Sequence, residues 1–461
     1  MLNRILLLLV LAASLFPRIG IAQSPTPASK VLNQWLATFN TGDSEKLLAF
    51  WKIYGTQDTA TLVSRDQGLY GVTGGFTVIK ILEDTGTHLV VSMKDGHGGF
   101  AEITIELASI DPPQIKSISG HPVDPPKPHR SPALNDEDLI KKVKEQVSLL
   151  SAKDEFSGAV LIAHNGHTIF QKASGLADRV KKIPNTLDTQ FCLGSMNKMF
   201  TATAVLQLVH AGKLSLDGHI SDYWPDYPNH DLASRVTVRQ LLTHTGGTGD
   251  IFGPEMETHR TELRSIADYV KLYGQRPVAF EPGSRFEYSN YGYIILGHLI
   301  EIASGHDYST YVQTHIYTPA GMKHTDQLPH PQPGRATGYM KSSNGLERND
   351  DTLFLVGTSA GGGYSTVGDL LNFAKALQSG KLLDPALFQQ ATHDQAKHGY
   401  GFGFHAGRDG TFGHGGGAPG INGDLRILPT GYIVVVLENL DPPSATSMAD
   451  FIDATVPSQP N

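Results

Sequence analysis

Apolar residues first recur at helical spacing where Val31, Leu32, Trp35, Leu36 and Phe39 share one face, and Asn40-Thr41-Gly42 stops that helix. A second short helix, Glu45 to Trp51, follows. The period then changes to two. Phe76 and Val78 come first, then Leu89, Val91 and Met93, then Ala101, Ile103, Ile105 and Leu107, with a final run around Ile115 to Ile118. Helices followed by an antiparallel sheet predict a small α+β domain. The stretch Pro122-Val123-Asp124-Pro125-Pro126-Lys127-Pro128 is the clearest break in composition. It sets the expected boundaries: 23–121 for the small domain, 122–134 for a proline-rich linker and 135–457 for a large domain.

The large domain opens with a helix bearing Leu139, Ile140, Val143 and Val147. A hairpin follows, in which Asn165-Gly166 joins the strand Gly158 to Ala163 with the strand Thr168 to Ala173. Near the other end, Ile427-Leu428 and Tyr432 to Leu437 flank Pro429-Thr430-Gly431, and a last helix is expected from about Ser447 to Ala454. Strands at both ends and a long helical middle predict one antiparallel sheet completed by both termini, with a helical insertion beside it. Within that middle, Leu193-Gly194-Ser195 leads into Phe200, Ala202, Val205, Leu206, Leu208 and Val209, an amphipathic helical pattern that Gly212 closes. No internal repeat is evident.

Composition narrows the function. The 461 residues allow two or three domains with ample apolar content, and a net charge of -8 without any Lys/Arg-rich run makes nucleic acid an unexpected partner. Arg4, the apolar run Ile5 to Phe16 and Gly20-Ile21-Ala22 before Gln23 predict a cleavable secretory signal over 1–22, hence a secreted or periplasmic protein. That run is short for a bilayer and ends at Pro17-Arg18, and no later stretch reaches spanning length, so no stable membrane span is expected. Cys192 is the only cysteine, which rules out an internal disulfide; it is expected to be a small buried residue at a strand-to-helix corner. His164 and His167 flank a turn and His244 stands alone, with no helical His-x-x-x-His and no acidic partner at ligand spacing, so neither a metal nor another cofactor is expected.

Three polar clusters carry candidate chemistry. Ser195-Met196-Asn197-Lys198 is the only Ser-x-x-Lys in the chain. Placed at a helix start, Ser195 and Lys198 lie one turn apart, and the helix N-terminus adds partial positive charge to a nucleophile that needs a base or a cation. Tyr288-Ser289-Asn290 is the second; in extended backbone residues two apart face the same way, so Tyr288 offers a phenol or phenolate to the serine and Asn290 an amide. The third is Gly413-His414-Gly415-Gly416-Gly417, whose glycines let a substrate lie against a strand edge and expose backbone N–H groups. Each has a structural explanation of its own, and a second Tyr-x-Asn at Tyr227-Pro228-Asn229 shows how cheap that motif is. Their joint occurrence in this order is the signal.

That order resembles the serine β-lactamase and penicillin-binding protein superfamily, especially its class C-like, D-aminopeptidase, carboxypeptidase and esterase branch, over about residues 136 to 455. Tyr288-Ser289-Asn290 stands where that family has Tyr-x-Asn or Ser-x-Asn, and His414-Gly415-Gly416 where it has Lys-Thr-Gly or His-x-Gly. Leu241 to Gly247, Tyr291 to Ile300, Pro319 to Met322 and Gly361 to Thr366 look familial as well. The resemblance implies an α+β fold: an antiparallel sheet flanked by helices, plus a helical subdomain, preceded here by the small α+β domain. The small domain's Phe39-Asn40-Thr41-Gly42-Asp43 helix end resembles the cone-shaped nuclear transport factor 2-like fold.

The implied roles follow. Ser195 forms an acyl-enzyme, Lys198 helps remove its proton and Tyr288 shuttles protons. Asn290 holds a substrate amide or orients Lys198, and His414 and Gly416 contact substrate. The backbone N–H groups of Ser195 and Gly417 form the oxyanion hole. The substrate is a small molecule or peptide with an ester, amide or lactam carbonyl. The alternatives are a β-lactamase proper and a catalytically idle penicillin-binding or sensor protein. No Glu-x-x-Leu-Asn run is present, which argues against a class A β-lactamase. With His414 where many members have lysine, carboxylate recognition is expected to be weaker and pH-dependent. The motifs leave oligomeric state open.

Overall fold

The computed structural model describes residues 26–55, 59–96, 100–123, 135–329, 331–342, 345–350, 356–395 and 397–456. The expected secretory segment and most of the expected linker lie outside these residues. The chain divides into two compact units, a small one ending at Asp124 and a large one from Pro125 onward.

In the small unit, helices Pro27–Phe39, Ser44–Tyr54 and Thr59–Thr73 cover one face of a sheet formed by Phe76–Asp84, His88–Asp95, Phe100–Ile110 and Pro113–Pro122, antiparallel in chain order. The period-two residues Leu89, Val91, Met93, Ile103 and Ile105 point into this core beside Trp35, Phe39 and Trp51. The helix Thr59–Thr73 is absent from the sequence reading; Gly68 and Gly71 weaken its propensity, and packing decides it. What fastens it is Asp66, a fully buried carboxylate that accepts from Trp35 Nε1 at 3.0 Å and Trp51 Nε1 at 2.9 Å, while Arg65 pairs with its other oxygen at 2.8 Å. Charge-assisted hydrogen bonds thus tie the three helices at one atom pair.

The large unit is built on a six-stranded antiparallel sheet in the order His405–Ala406, Phe412–Ala418, Ile421–Ile427, Tyr432–Glu438, Gly158–His164, His167–Ser174. Both termini complete it. Asn165 (φ 48°) and Gly166 (φ 79°) make the tight turn of the last pair, the primed geometry that an Asn-Gly dipeptide favours. One face of the sheet, through Leu161, Leu425, Ile433, Val435 and Leu437, packs on the helical body. The other, through Val160, Ile162, Val434 and Val436, packs on Asp136–Ala152 and Ser444–Asp453. Tyr432–Glu438 is therefore buried on both faces, which explains its unbroken apolar run. No helix among the described residues is long and apolar enough to cross a membrane.

The helix after Ser195 differs from expectation. Lys198–His210 is not amphipathic: every residue from Lys198 to Leu206 is buried, because the helix is packed among others, against helix Asn290–Ser304 and, through Phe200, against Tyr317 and Phe373.

Glu438, at the end of the central strand, is a buried acid that accepts from Ser157 N at 3.1 Å. Burial pushes its carboxyl from 4.5 up to about 8. Between these values the folded chain holds a proton that the unfolded chain has released, so stability falls as pH rises from about 4.5 to about 8. Glu438→Gln removes this cost, and the expected gain at pH 8 is on the order of a few kcal/mol. Denaturant midpoints from pH 5 to 8 check it: the wild-type midpoint should decline across the range and the variant's decline should be markedly shallower.

Candidate active site

The turn that carries Ser195 begins at a glycine. Strand Phe191–Cys192 ends, Gly194 takes φ 53°, and Gly194–Asn197 forms one 3-10 turn before the α-helix starts at Lys198. A Cβ on Gly194 would sit 3.2 Å from the backbone nitrogen of Gly417, so glycine lets this turn press against the strand Phe412–Ala418. Gly416 meets it from the other side, where a Cβ would fall 2.0 Å from the Leu193 carbonyl oxygen. From His414 onward the outer edge of this strand carries no partner strand among the described residues, because His405–Ala406 reaches only Phe412 and Gly413. The turn holding Ser195 and the open edge holding Gly417 are therefore adjacent.

Lys198 is fully buried, and its Nζ lies 3.3 Å from Ser195 Oγ and 2.6 Å from Asn290 Oδ1, with the Ala360 carbonyl as a third partner. Burial lowers its pKa from 10.5 to about 7, and the charge of Asp250 opposes that fall. A neutral amine has two hydrogens and one lone pair. Asn290 Oδ1 and the Ala360 carbonyl can only accept, so they take the hydrogens and leave the lone pair to Ser195.

Tyr288 lies over Lys198, its ring centre 4.8 Å from Lys198 Nζ, with Ser195 next to its hydroxyl. Burial raises its pKa, so the group is a phenol rather than the phenolate that the sequence left open. The expected extended path through Tyr288-Ser289-Asn290 is only half present. Ser289 is extended but caps a helix by accepting from Gly292 N at 2.9 Å, and Asn290 is that helix's first residue. Tyr288 and Asn290 converge because the chain turns into a helix there, not because a strand alternates.

Asn290 Nδ2 donates to Asp250 at 3.0 and 3.2 Å, which fixes the amide with its oxygen toward Lys198. Both ends of Asn290 are thus engaged within the protein. Asp250 has no counterpart among the sequence-predicted site residues; an acid in a glycine-rich loop carries no pattern that marks it. Ala360 escaped for the same reason, since a backbone carbonyl leaves no trace in residue type.

Around this centre lies a shell of rings. His244 takes φ 57°, accepts from Ser289 N at its Nδ1 (3.1 Å) and stacks on Tyr288 at 4.2 Å, with Tyr400 at 4.7 Å and Tyr293 at 5.0 Å. The segment Leu241 to Gly247 therefore aligns the second cluster. His414 lies buried on the strand, with Nδ1 2.5 Å from the Gly415 carbonyl and Nε2 3.0 Å from Tyr400 Oη. A carbonyl only accepts, so Nδ1 carries the hydrogen and the neutral ring accepts from Tyr400. Burial holds His244 and His414 well below 6.5. The pH-dependent charge expected of His414 is thereby corrected: its titration is displaced below the neutral range. Cys192 is likewise no nucleophile, its thiol pushed up to about 11 by burial.

Comparison with known proteins follows this geometry. A family model described as Beta-lactamase matches residues 143–456. The "Putative penicillin-binding protein PbpX" of Bacillus subtilis (strain 168) is 32% identical over 312 residues, covering 66% of this chain and 76% of the relative. The crystal structure of a penicillin binding protein from Bacillus halodurans has a TM-score of 0.61 at 30% identity, covering 67% of this chain and 99% of that one. D-amino acid amidase from Ochrobactrum anthropi SV3, complexed with D-phenylalanine, has a TM-score of 0.59 at 25% identity, covering 69% of this chain and 98% of that one. The small unit stands outside the family match, which begins at residue 143. With its large unit matched almost throughout, the chain belongs to the beta-lactamase family and is a serine hydrolase of the superfamily that includes the penicillin-binding proteins.

Proposed function

We propose that this is an exported hydrolase that cleaves an ester or amide through an acyl-enzyme on Ser195. The observation that carries this reading is the buried Lys198 amine, whose two hydrogens go to Asn290 and Ala360 and whose lone pair faces Ser195 Oγ 3.3 Å away. As Ser195 attacks the carbonyl carbon, Lys198 takes its proton and the carbonyl oxygen gains charge between the N–H groups of Ser195 and Gly417. Tyr288 gives its proton to the leaving oxygen or nitrogen and regains one from Lys198. Water then repeats the sequence on the acyl carbon. Asn290 orients Lys198, and Asp250 orients Asn290.

Among substrates, the reading favours neutral esters and amides, as in D-aminopeptidase-like or esterase members, over anionic lactams. His244 and His414 are buried and held neutral, so neither offers a fixed cation for a carboxylate. The amidase among the structural relatives supports the same choice. Export rests on the segment 1–22, and the small domain 23–121 with its linker 122–134 is assigned an accessory role beside the catalytic domain 135–457.

Intact mass after mixing with p-nitrophenyl acetate, and separately with a penicillin, tests this. An acetyl adduct that turns over, present in wild type and absent from Ser195→Ala, is the expected outcome. A long-lived penicilloyl adduct with no ester turnover would move the assignment to penicillin binding. Equal ester hydrolysis by wild type and Ser195→Ala would sink the mechanism.

A further inference from the structure

Asn422 is a buried polar residue near the start of strand Ile421–Ile427, only 2% exposed, in a position where asparagine is disfavoured. All of its engaged atoms have defined partners. Oδ1 accepts from Ala445 N at 2.7 Å and Thr446 N at 3.1 Å, two donors from the start of helix Ser444–Asp453. Nδ2 donates to the Gly416 carbonyl at 2.9 Å. Because two N–H groups claim the oxygen, the amide has one possible orientation, with its NH2 toward Gly416.

The Gly416 carbonyl belongs to the same peptide unit as the Gly417 N–H. In a planar trans peptide these two groups point in opposite directions. Gly417 lies directly across from Asn422 in the strand register, so fastening the Gly416 oxygen toward the neighbouring strand turns the Gly417 N–H to the other edge. That edge is the open one, beside the Gly194–Ser195 turn. Three successive glycines, Gly415 to Gly417, leave this segment little intrinsic preference of its own, so its peptide planes are set by its pairing with Ile421–Ile427 on one side only and by the Asn422 amide. A Cβ on Gly417 would meet the Pro442 ring at 2.9 Å, which further limits how the strand can roll.

We infer that Asn422 is a positioning residue for the oxyanion hole: it anchors the Gly416–Gly417 peptide between the sheet and the start of helix Ser444–Asp453, aiming the Gly417 N–H at the developing oxyanion. The inference rests on the reading of Ser195 as nucleophile and deepens it. Asn422 touches neither substrate nor the reacting atoms, and its effect passes through one peptide plane.

Asn422→Asp is the discriminating variant. It keeps an oxygen for Ala445 N and Thr446 N, and so keeps the tie to the helix. It replaces the NH2 with an oxygen that repels the Gly416 carbonyl. A fully removed oxyanion donor costs about 10²–10³-fold in kcat, and a misdirected one is expected to cost about 10–100-fold. The assay is p-nitrophenyl acetate hydrolysis together with inhibition by phenylboronic acid, whose tetrahedral adduct with a serine places an oxygen in the oxyanion hole. The expected result is a fall in kcat and in boronate affinity by similar factors, with KM and the melting temperature little changed. Should Asn422→Asp not fold, Asn422→Ala takes the same measurements, with kcat normalised to the folded fraction.

Wild-type kcat and boronate affinity in the folded variant overturn the inference. So does a loss confined to KM and melting temperature, which is the mark of a merely structural asparagine. Absence of Ser195-dependent turnover in wild type is a different failure: it overturns the acyl-enzyme reading, and the inference falls with it.

Discussion

Lys198→Met lowers kcat/KM for ester hydrolysis by about 10³-fold and abolishes the acid limb of its pH profile. The argument begins with protons. In wild type the amine titrates at about 7, and only the neutral form has a lone pair for the Ser195 hydroxyl. Activity therefore rises with pH through about 7 and then levels. The groups facing the amine do not mask that limb. Tyr288 and Tyr293 are raised by burial, and His244 and His414 lie well below neutrality. Methionine fills the same volume without a titrating group, so the residual rate should be flat across this range.

The fold should survive the substitution. Keeping a buried lysine neutral costs the folded state on the order of a few kcal/mol at neutral pH, since the unfolded amine stays protonated to 10.5. Methionine removes that cost, while Asn290 Oδ1 and the Ala360 carbonyl each lose a donor at about 1–3 kcal/mol. The two effects are of similar size and opposite sign. Stopped-flow acylation and thermal melts on the same preparation check the prediction; a pH-dependent limb persisting near 7 in Lys198→Met would assign the base elsewhere.

Legibility differed by the kind of interaction. Both sheets were readable because each rests on local signals: period-two burial in Leu89, Val91 and Met93, a two-sided apolar run in Tyr432–Glu438, and Asn165-Gly166 at a turn that needs positive φ. The motif residues were readable because their chemistry is in their side chains and their spacing is short. What sequence could not supply is the closure of distant segments. Asp250 meets Asn290 across 40 positions, Ala360 meets Lys198 across 162, and Asn422 meets Ala445 across 23. The helix at Lys198 was misjudged for a related reason. Thr201 and Thr203 are polar by type, but both are fully buried and satisfied by backbone carbonyls, so a face that looks wet in the sequence is dry in the structure.

Tyr288→Phe should reduce hydrolysis by an amount that grows with the poorness of the leaving group. The hydroxyl is the only thing removed. The phenylalanine ring still stacks on His244 at the 4.2 Å of the wild-type ring and still covers Lys198, so melting temperature and the limb near pH 7 should stay in place. What is lost is a proton donor, because burial keeps Tyr288 a phenol. A p-nitrophenolate leaves without help, and its ester should lose only about 10-fold, from removal of the hydroxyl beside Ser195. An alkyl ester or a primary amide must be protonated as it departs, and should lose about 10²–10³-fold. The measurement is kcat/KM for three substrates sharing one acyl group: the p-nitrophenyl ester, the ethyl ester and the amide. A graded loss assigns Tyr288 to leaving-group protonation. An equal loss on all three would instead make Tyr288 a partner of Ser195 alone, and would leave Lys198 as both base and acid, returning to the leaving group the proton it took from the serine.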